Sequence, residues 1–226
     1  MSVLIEKVKP VMRKIAKAID RCLESLRDKL HNFLGRYPVY EGLVYTPQEE
    51  QAIEKIVDIV LDFFPEGPGQ CLLDEDFESR CEAIEDFGNR LIGYYELEGA
   101  EVVITDDEER FSGNQAVCIF GYTSFGENKV YINANYLRTD DEQMLEYVSS
   151  TVIHELRHLM QYQIARLEKS FGVPYERRHL WRDNLVNYIE AEYDLEGYIT
   201  QPLEFDARNF TNRIWQQAYS KRLSRQ

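Results

Sequence analysis

The spacing of apolar residues changes twice along the chain, and this change predicts an α+β protein. Helical spacing covers residues 47–95 and returns over residues 140–220. Between them the spacing falls to two, in β-branched and aromatic runs that predict a small antiparallel sheet over residues 101–134. The expected strands are EVVIT (101–105), QAVCIFGY (115–122) and KVYINA (129–134). We therefore expect one domain over residues 37–226, with helices before and after the sheet.

Capping signals set the expected helix boundaries. TPQE (46–49) is typical of a capping box with proline at the first helical position, and TDDE (139–142) is a second capping box. The second box opens a helix that is expected to end at Gly172. Two further helices are predicted, one over residues 181–197 and one that begins at TQP (200–202).

Residues 1–36 form a separate basic segment. Apolar residues recur there at steps of three and four, which predicts a long amphipathic helix that ends near Gly35. The segment has nine Lys/Arg and four Asp/Glu, so it carries +5, whereas the whole chain carries −14. Such a helix can bind an anionic membrane surface or a partner, or it can dock on the protein's own acidic body. We favour docking, because most amphipathic helices bury their apolar stripe against their own domain.

The composition then excludes several classes of function. Beyond residue 36 the net charge is −19, which argues against nucleic-acid binding because such a surface repels phosphates. No apolar run reaches the roughly 20 residues of a membrane span, and charges interrupt the apolar start, MSVLIEKVKP, unlike in a signal peptide. The scattered cysteines lack any CxxC pair, which favours free thiols and a cytoplasmic location. These cysteines are Cys22, Cys71, Cys81 and Cys118.

The candidate chemistry lies in IHELRHLMQY (153–162). His154 and His158 are four residues apart, so they share one face of a helix and can bind one metal ion. Glu155 lies about 100° round the helix, where it can take a proton from a metal-bound water as general base. The rest of the histidine stripe is polar or small: Tyr147, Thr151, Gln161 and Ala165. Since the core stripe lies on another side, the pattern favours a cleft with a zinc site over a helix that happens to carry two histidines.

A catalytic zinc site needs a third protein ligand. Our first candidate is Glu204 in QPLEFDARNF, in the first turn of the last predicted helix and 46 residues after His158. Its neighbours Leu203 and Ala207 are expected to face the core, so its carboxylate can point inward, where it needs a partner. The ordinary alternative is a carboxylate that interacts with the helix dipole. The other candidates for the ligand are Glu190, which forms an ExxxD spacing with Asp194, then Glu192 and His179.

HELRHLMQY followed by YITQPLEFDARNF resembles the zincin metallopeptidases of the glutamate-ligand type, the gluzincins. More narrowly, it is similar to the short ImmA/IrrE-like peptidases of bacteria and their phages, and the resemblance covers roughly residues 101–220. It implies a zincin-like fold, Zn²⁺ as cofactor, and the strand KVYINA as the one that pairs with an extended substrate. It also implies roles for the residues above: His154, His158 and Glu204 as ligands, and Glu155 as base. The 46-residue gap is longer than in compact members of the family.

A second departure is Arg157, where the family usually has a small residue. Arg157 points away from the ligand face, so we expect it to pair with Glu190 or Asp206. Asp206 can also accept the other N–H of a ligand imidazole, or form a salt bridge in solvent. Peptide hydrolysis further requires a donor to the oxyanion, for which Tyr198 is our candidate. His179 can serve as well, and Tyr162, Tyr175 and Tyr188 are no better marked.

The sequence thus predicts a zinc-dependent metalloendopeptidase that acts on a cytoplasmic protein or peptide. The alternative is a non-catalytic binding or regulatory protein on a zincin scaffold, with zinc structural or absent. In a third interpretation, the basic helix of residues 1–36 directs the protein to a membrane or a partner.

Overall fold

The computed structural model describes residues 44–111, 119–167 and 171–225. The predicted amphipathic helix of residues 1–36, and its docking, lie outside these ranges. So do Cys22, Cys118 and the start of the predicted middle strand. Cys71 and Cys81, which lie inside them, are free thiols as predicted. No helix among the described residues is both long enough and apolar enough to span a bilayer.

The described residues form an α+β fold that is mostly helical with one three-stranded sheet. The helices are α1 (Pro47–Phe63), α2 (Pro68–Leu73), α3 (Phe77–Tyr95), α4 (Glu142–Leu167), α5 (Tyr175–Val186), α6 (Leu195–Thr200) and α7 (Pro202–Leu223). The strands are β1 (Glu101–Thr105), β2 (Gly121–Ser124) and β3 (Lys129–Asn133). Short 3₁₀ helices cover Glu108–Phe111 and Ala134–Arg138.

The sheet is mixed, so the prediction of an antiparallel sheet was wrong. The strand order is β1-β3-β2, and β3 pairs parallel with β1 and antiparallel with β2. Burial accompanies the order: Val130, Tyr131 and Ile132 are all buried, so β3 is the most buried strand, and it takes the central position with a neighbour on each side. β2 is the polar sequence GYTS and lies at an edge of the described sheet.

The capping box predicted for α1 is confirmed. The hydroxyl oxygen of Thr46 accepts a hydrogen bond from the Glu49 amide at 3.3 Å, and the Thr46 amide donates to Oε2 of Glu49 at 2.9 Å. The start of α4 differs from the prediction, because Asp141 rather than Thr139 caps it. Asp141 Oδ1 accepts from the amides of Gln143 and Met144 at 3.0 and 3.3 Å.

Helix α4 is the central element, and α2, α3, α5, α7 and the sheet all pack against it. Its predicted apolar stripe is buried along most of its length: Leu145, Val148, Val152, Leu156 and Leu159. The inward residues predicted for α7 are buried as well: Leu203, Ala207, Phe210 and Ile214. Burial of these two stripes against each other sets the first turn of α7 beside the middle of α4.

The single helix predicted over residues 181–197 is instead two helices, α5 and α6. Asn187 ends α5, and Asp194 starts α6 by accepting a hydrogen bond from the Gly197 amide at 2.9 Å. The Gln201 side chain holds the connection between them, since it bonds to both the amide and the carbonyl of Ile189 at 3.0 and 2.9 Å. This connection carries Tyr188 over the start of α7.

Candidate metal centre

Three side chains with metal-ligating atoms converge between α4 and α7. The Nε2 atoms of His154 and His158 are 3.0 Å apart. Glu204 reaches both of them, with Oε2 at 3.3 Å from His154 Nε2 and Oε1 at 3.0 Å from His158 Nε2. Ligand atoms of the three residues all lie within 4.8 Å of one another, and this group could hold a metal ion.

Glu204 points inward for the reason that the sequence suggests. It is in the first turn of α7, between the buried Leu203 and Ala207, and its side chain is 2% exposed. The Tyr188 hydroxyl donates to Glu204 Oε1 at 2.6 Å, and Nη1 of Arg208 is 3.7 Å from Oε2. A buried carboxylate with these neighbours is fixed in place before any ligand arrives.

The alternative third ligands lie elsewhere. Glu190 and Glu192 are exposed in the connection between α5 and α6, and His179 on α5 is 2.5 Å from the Tyr175 hydroxyl. Within the described ranges, the group of His154, His158 and Glu204 is the one set of three or more such residues close enough to share an ion.

Opposite charges couple the histidines to Glu204. Burial by itself would lower the pKa of His158, but the Glu204 carboxylate outweighs this effect and raises that pKa to about 9. Burial would likewise raise the pKa of Glu204, but His158 and His154 hold it well below its usual range. Without a metal, the group therefore holds a proton where a cation would bind.

The spacing of the three residues fits a small divalent ion. Imidazole nitrogens and a carboxylate oxygen about 2.0–2.2 Å from a tetrahedral zinc lie about 3.3–3.5 Å from one another. Here the two ring nitrogens are 3.0 Å apart, and each is 3.0 to 3.3 Å from a different oxygen of Glu204. With one ligand atom taken from each residue, the three atoms lie within 4.8 Å of one another. Two ring nitrogens that face each other at 3.0 Å also need a proton or a cation between them, because two lone pairs repel.

Glu155 is held from the sheet. It is 9% exposed, and the hydroxyl oxygen of Thr123 lies 2.8 Å from its Oε2 and 2.9 Å from its main-chain carbonyl oxygen. The sequence did not predict a role for Thr123, because TSFGEN was interpreted as a loop. The structure shows that β2 is shifted along the chain, to Gly121–Ser124, and this shift brings Thr123 onto the edge strand.

Behind the metal group lies a set of charges that we call the Arg157 cluster: Glu49, Arg157 and Asp206, which are buried, and Arg177, whose side chain is 10% exposed. Arg157 points away from the ligands as predicted. Its Nε and Nη2 donate to Oδ2 and Oδ1 of Asp206 at 2.7 and 3.2 Å, and Nη2 also donates to Glu49 Oε1 at 3.4 Å. Glu190, the other predicted partner, is exposed, and Glu49 occupies the position expected for it.

Asp206 is connected to the metal group through an intermediate that the sequence did not reveal. The predicted contact was a direct one with a ligand imidazole. Instead, Gln161 lies 2.8 Å from His158 Nδ1 through its Oε1, and its Nε2 donates to Asp206 Oδ2 at 2.8 Å. Gln161 belongs to the histidine stripe that was identified from spacing, and its place three residues after His158 on the same helix is the signal that could have marked it as a partner.

Tyr198 lies next to Tyr188, with ring centroids 6.1 Å apart and the rings nearly perpendicular. Burial, then the carboxylate of Glu204, raises the pKa of both tyrosines far above the usual value. Both therefore keep their hydroxyl protons at neutral pH. Of the other candidate tyrosines, Tyr162 stacks on Phe125 with centroids 4.6 Å apart, and Tyr175 contacts His179.

No family model, curated protein or solved structure matches the chain. The geometry and chemistry of the residues described above are therefore the basis on which a function can be assigned.

Proposed function

We propose that this chain is a zinc-dependent endopeptidase of the gluzincin type, acting on a cytoplasmic protein or peptide. The observation that carries the proposal is the convergence of His154, His158 and Glu204, from two helices, into one group able to hold a metal ion. Support comes from Glu155, which follows the first histidine in the chain and is fixed by a hydrogen bond from Thr123. The resemblance of HELRHLMQY and YITQPLEFDARNF to ImmA/IrrE-like peptidases points the same way.

Zinc is the proposed metal because the donor set suits it. Two imidazole nitrogens and one carboxylate form a common set of protein ligands in catalytic zinc sites, which keep a further position for water. When bound, zinc supplies a water molecule whose pKa is lowered to near 7.

Glu155 is the proposed general base. With zinc bound, its carboxylate would take a proton from the water as the water oxygen attacks the carbonyl carbon of the scissile peptide. It would then deliver this proton to the nitrogen of the leaving amine as the C–N bond breaks. Thr123 keeps Oε2 in position, because its hydroxyl lies 2.8 Å away on the neighbouring strand.

Tyr198 is the proposed donor to the oxyanion. Of the two adjacent tyrosines, Tyr188 already donates its hydroxyl proton to Glu204. Tyr198 lies beside it, and its phenol, protonated at neutral pH, can donate to an oxyanion.

The strand that pairs with substrate is not KVYINA. That sequence forms β3, whose two edges are hydrogen-bonded to β1 and β2. We propose β2 instead, because it lies at an edge of the described sheet and carries Thr123 to Glu155.

Glu155→Gln tests the proposal, with Glu142→Gln, an exposed change at the start of the same helix, as control. Each protein is loaded with zinc, its zinc affinity is measured by competition with a chromophoric chelator, and cleavage of a quenched fluorescent peptide library is followed. Glu155→Gln should bind zinc like the wild type and cleave at least about 10²-fold more slowly, the usual contribution of a general base. The control should match the wild type in both.

Full activity of Glu155→Gln would contradict the mechanism. Zinc binding by the wild type without cleavage of any peptide would favour the alternative, a binding protein on the same scaffold. Metal analysis after purification without chelators identifies the ion. If the wild type carried no bound metal, the proposed zinc site itself would be contradicted.

A further inference from the structure

Gln161 connects the metal group to the Arg157 cluster, and its three polar neighbours fix the orientation of its side-chain amide. The side chain is fully buried on α4, one turn after His158. Its three polar neighbours are His158 Nδ1 at 2.8 Å, Asp206 Oδ2 at 2.8 Å and the Leu203 carbonyl oxygen at 3.1 Å.

The chemistry of these neighbours allows one orientation of the amide. A carbonyl oxygen and a carboxylate oxygen can only accept hydrogen bonds, so the NH₂ group of Gln161 must face Leu203 and Asp206. The amide oxygen must then face His158. If the amide were reversed, its oxygen would lie against two acceptors in a buried site, at a high cost in free energy.

This orientation determines which ring nitrogen of His158 is protonated. An amide oxygen at 2.8 Å requires a hydrogen on Nδ1. In the neutral imidazole the lone pair is then on Nε2, the atom that faces His154 and Glu204. The ring is therefore held in the tautomer that a metal bound among these three residues needs.

Asp206 holds Gln161 in turn. Its Oδ2 accepts from both Gln161 and Arg157, and the second oxygen accepts from Arg157 as well. The two-point contact with a guanidinium fixes the plane of the carboxylate. Asp206 is also only two residues beyond Glu204 on α7, so the same helical turn supplies one ligand and the support of another.

We propose that Gln161 is a positioning residue for the metal centre. It fixes the tautomer and orientation of His158, and it is itself held by Asp206, which Arg157 holds in turn. Zinc affinity can test this role only if the proposed metal site exists. The proton on His158 Nδ1 can be observed by NMR whether or not the site binds zinc. The chain uses a neutral amide here because a carboxylate at position 161 would face Asp206 Oδ2 at hydrogen-bond distance.

Three variants test this role through zinc affinity, measured by chelator competition, and through thermal unfolding of the metal-free proteins. Gln161→Met removes both the acceptor and the donors, and its zinc affinity should fall about 10- to 100-fold. Gln161→Glu keeps the acceptor toward His158 but loses the donors. It should therefore be less stable than the wild type, yet bind zinc more tightly than Gln161→Met. Gln163→Met, a buried change two residues further along α4, should bind zinc like the wild type.

A purely structural role predicts the opposite order, with Gln161→Glu weaker than Gln161→Met in both measurements, and that order would overturn the proposal. Equal affinities of Gln161→Met and Gln163→Met would overturn it too.

Nitrogen-15 NMR of histidine-labelled wild type reports on the ring directly, without any change at position 161. Zinc-loaded and metal-free protein should both show a slowly exchanging Nδ1–H, assigned by its absence in His158→Gln. A rapidly exchanging Nδ1–H, or a proton on Nε2 in the zinc-loaded protein, would contradict the proposal. If the wild type does not bind zinc, the proposed function fails, but this signal still decides the role of Gln161.

Discussion

Helix α4 separates two groups of ionisable side chains that are adjacent in sequence but differ in how their charges are balanced. On one face, His154 and His158 point their Nε2 atoms at each other and at Glu204. On the other, Arg157 lies between Asp206 and Glu49, and Arg177 donates to Glu49 at 2.6 Å. The Arg157 cluster pairs two guanidiniums with two carboxylates, so it is neutral without any further ion. The metal group has one carboxylate and two bases that converge on one point.

This difference separates a structural role from a functional one. Buried charges that compensate each other hold elements together, and removing one partner leaves another uncompensated. Converging donors of the kind found in the metal group could hold a cation. The two groups thus predict opposite responses to mutation: one should lose stability, the other its metal.

The largest expected effect is on metal binding. His154→Ala and Glu204→Ala should each weaken zinc binding by more than the about 10–100-fold that loss of an outer partner costs. Unfolding of metal-free His154→Ala should change by no more than about 1 kcal/mol, the net worth of one hydrogen bond. Glu204→Ala should also lose stability, because it leaves the buried His158 without its carboxylate partner. Chelator competition and denaturant unfolding measure the two quantities, and His179→Ala serves as the control. If Glu204→Ala kept zinc and Glu190→Ala lost it, Glu190 would be the third ligand instead of Glu204.

The converse experiment is Arg157→Met. This change removes the guanidinium from the buried Asp206, which keeps only the neutral Gln161 amide as a close partner, and leaves Glu49 with Arg177 alone. The free energy of unfolding should therefore fall by about 3–5 kcal/mol. Arg213→Met is the matched control, since it removes an exposed pair with Glu50 at 2.6 Å and should cost less than about 1 kcal/mol. Urea unfolding measures both free energies. If the two variants lost the same free energy of unfolding, the buried Arg157 pairs would stabilise the fold no more than an exposed pair does.

Local patterns in the sequence predicted both helices that supply the metal group. Spacing placed His154 and His158 on one face, and the apolar neighbours of Glu204 indicated that its carboxylate points inward. Those predictions depend on helical geometry within a few turns. Strand order depends on which strand buries most surface in the whole fold, so the central place of β3 was not predictable from alternation alone. The contacts of Thr123 with Glu155 and of Gln161 with Asp206 join segments distant in the chain, and no local pattern encodes such contacts.

A smaller effect is expected at the edge strand. Thr123→Val removes the hydrogen bond to Glu155 Oε2 but keeps the shape of the side chain, so kcat/KM should fall about tenfold, as for the loss of one hydrogen bond. Zinc affinity should not change, because Thr123 contacts the base and not a ligand. Thr123→Ser should restore the rate. A parallel loss of zinc affinity in Thr123→Val would assign Thr123 to the support of the ligands instead.

The last expected effect is the pH dependence of the metal-free protein. The pKa of His158 is about 9 when folded, against about 6.5 when unfolded, so its pairing with Glu204 stabilises fully below about pH 6.5 and is lost as the pH rises through 9. The contribution of Glu204, whose pKa is lowered, is present above about pH 4.5 and is lost as the pH falls through that lowered value. The melting temperature should therefore fall between pH 6.5 and 9. An equal fall in His158→Gln would contradict this origin.

Glu49 links the start of α1 to the interior, because each of its carboxylate oxygens has a different task. Oε2 accepts from the Thr46 amide and completes the helix cap, whereas Oε1 accepts from Arg157 and Arg177. Arg177 in turn donates to the carbonyl oxygen of Val44 at 2.6 Å. For fragment design, the helix boundary at Pro47 is therefore the wrong place to cut. A shortened protein that is meant to keep the metal centre and its support must begin at or before Val44.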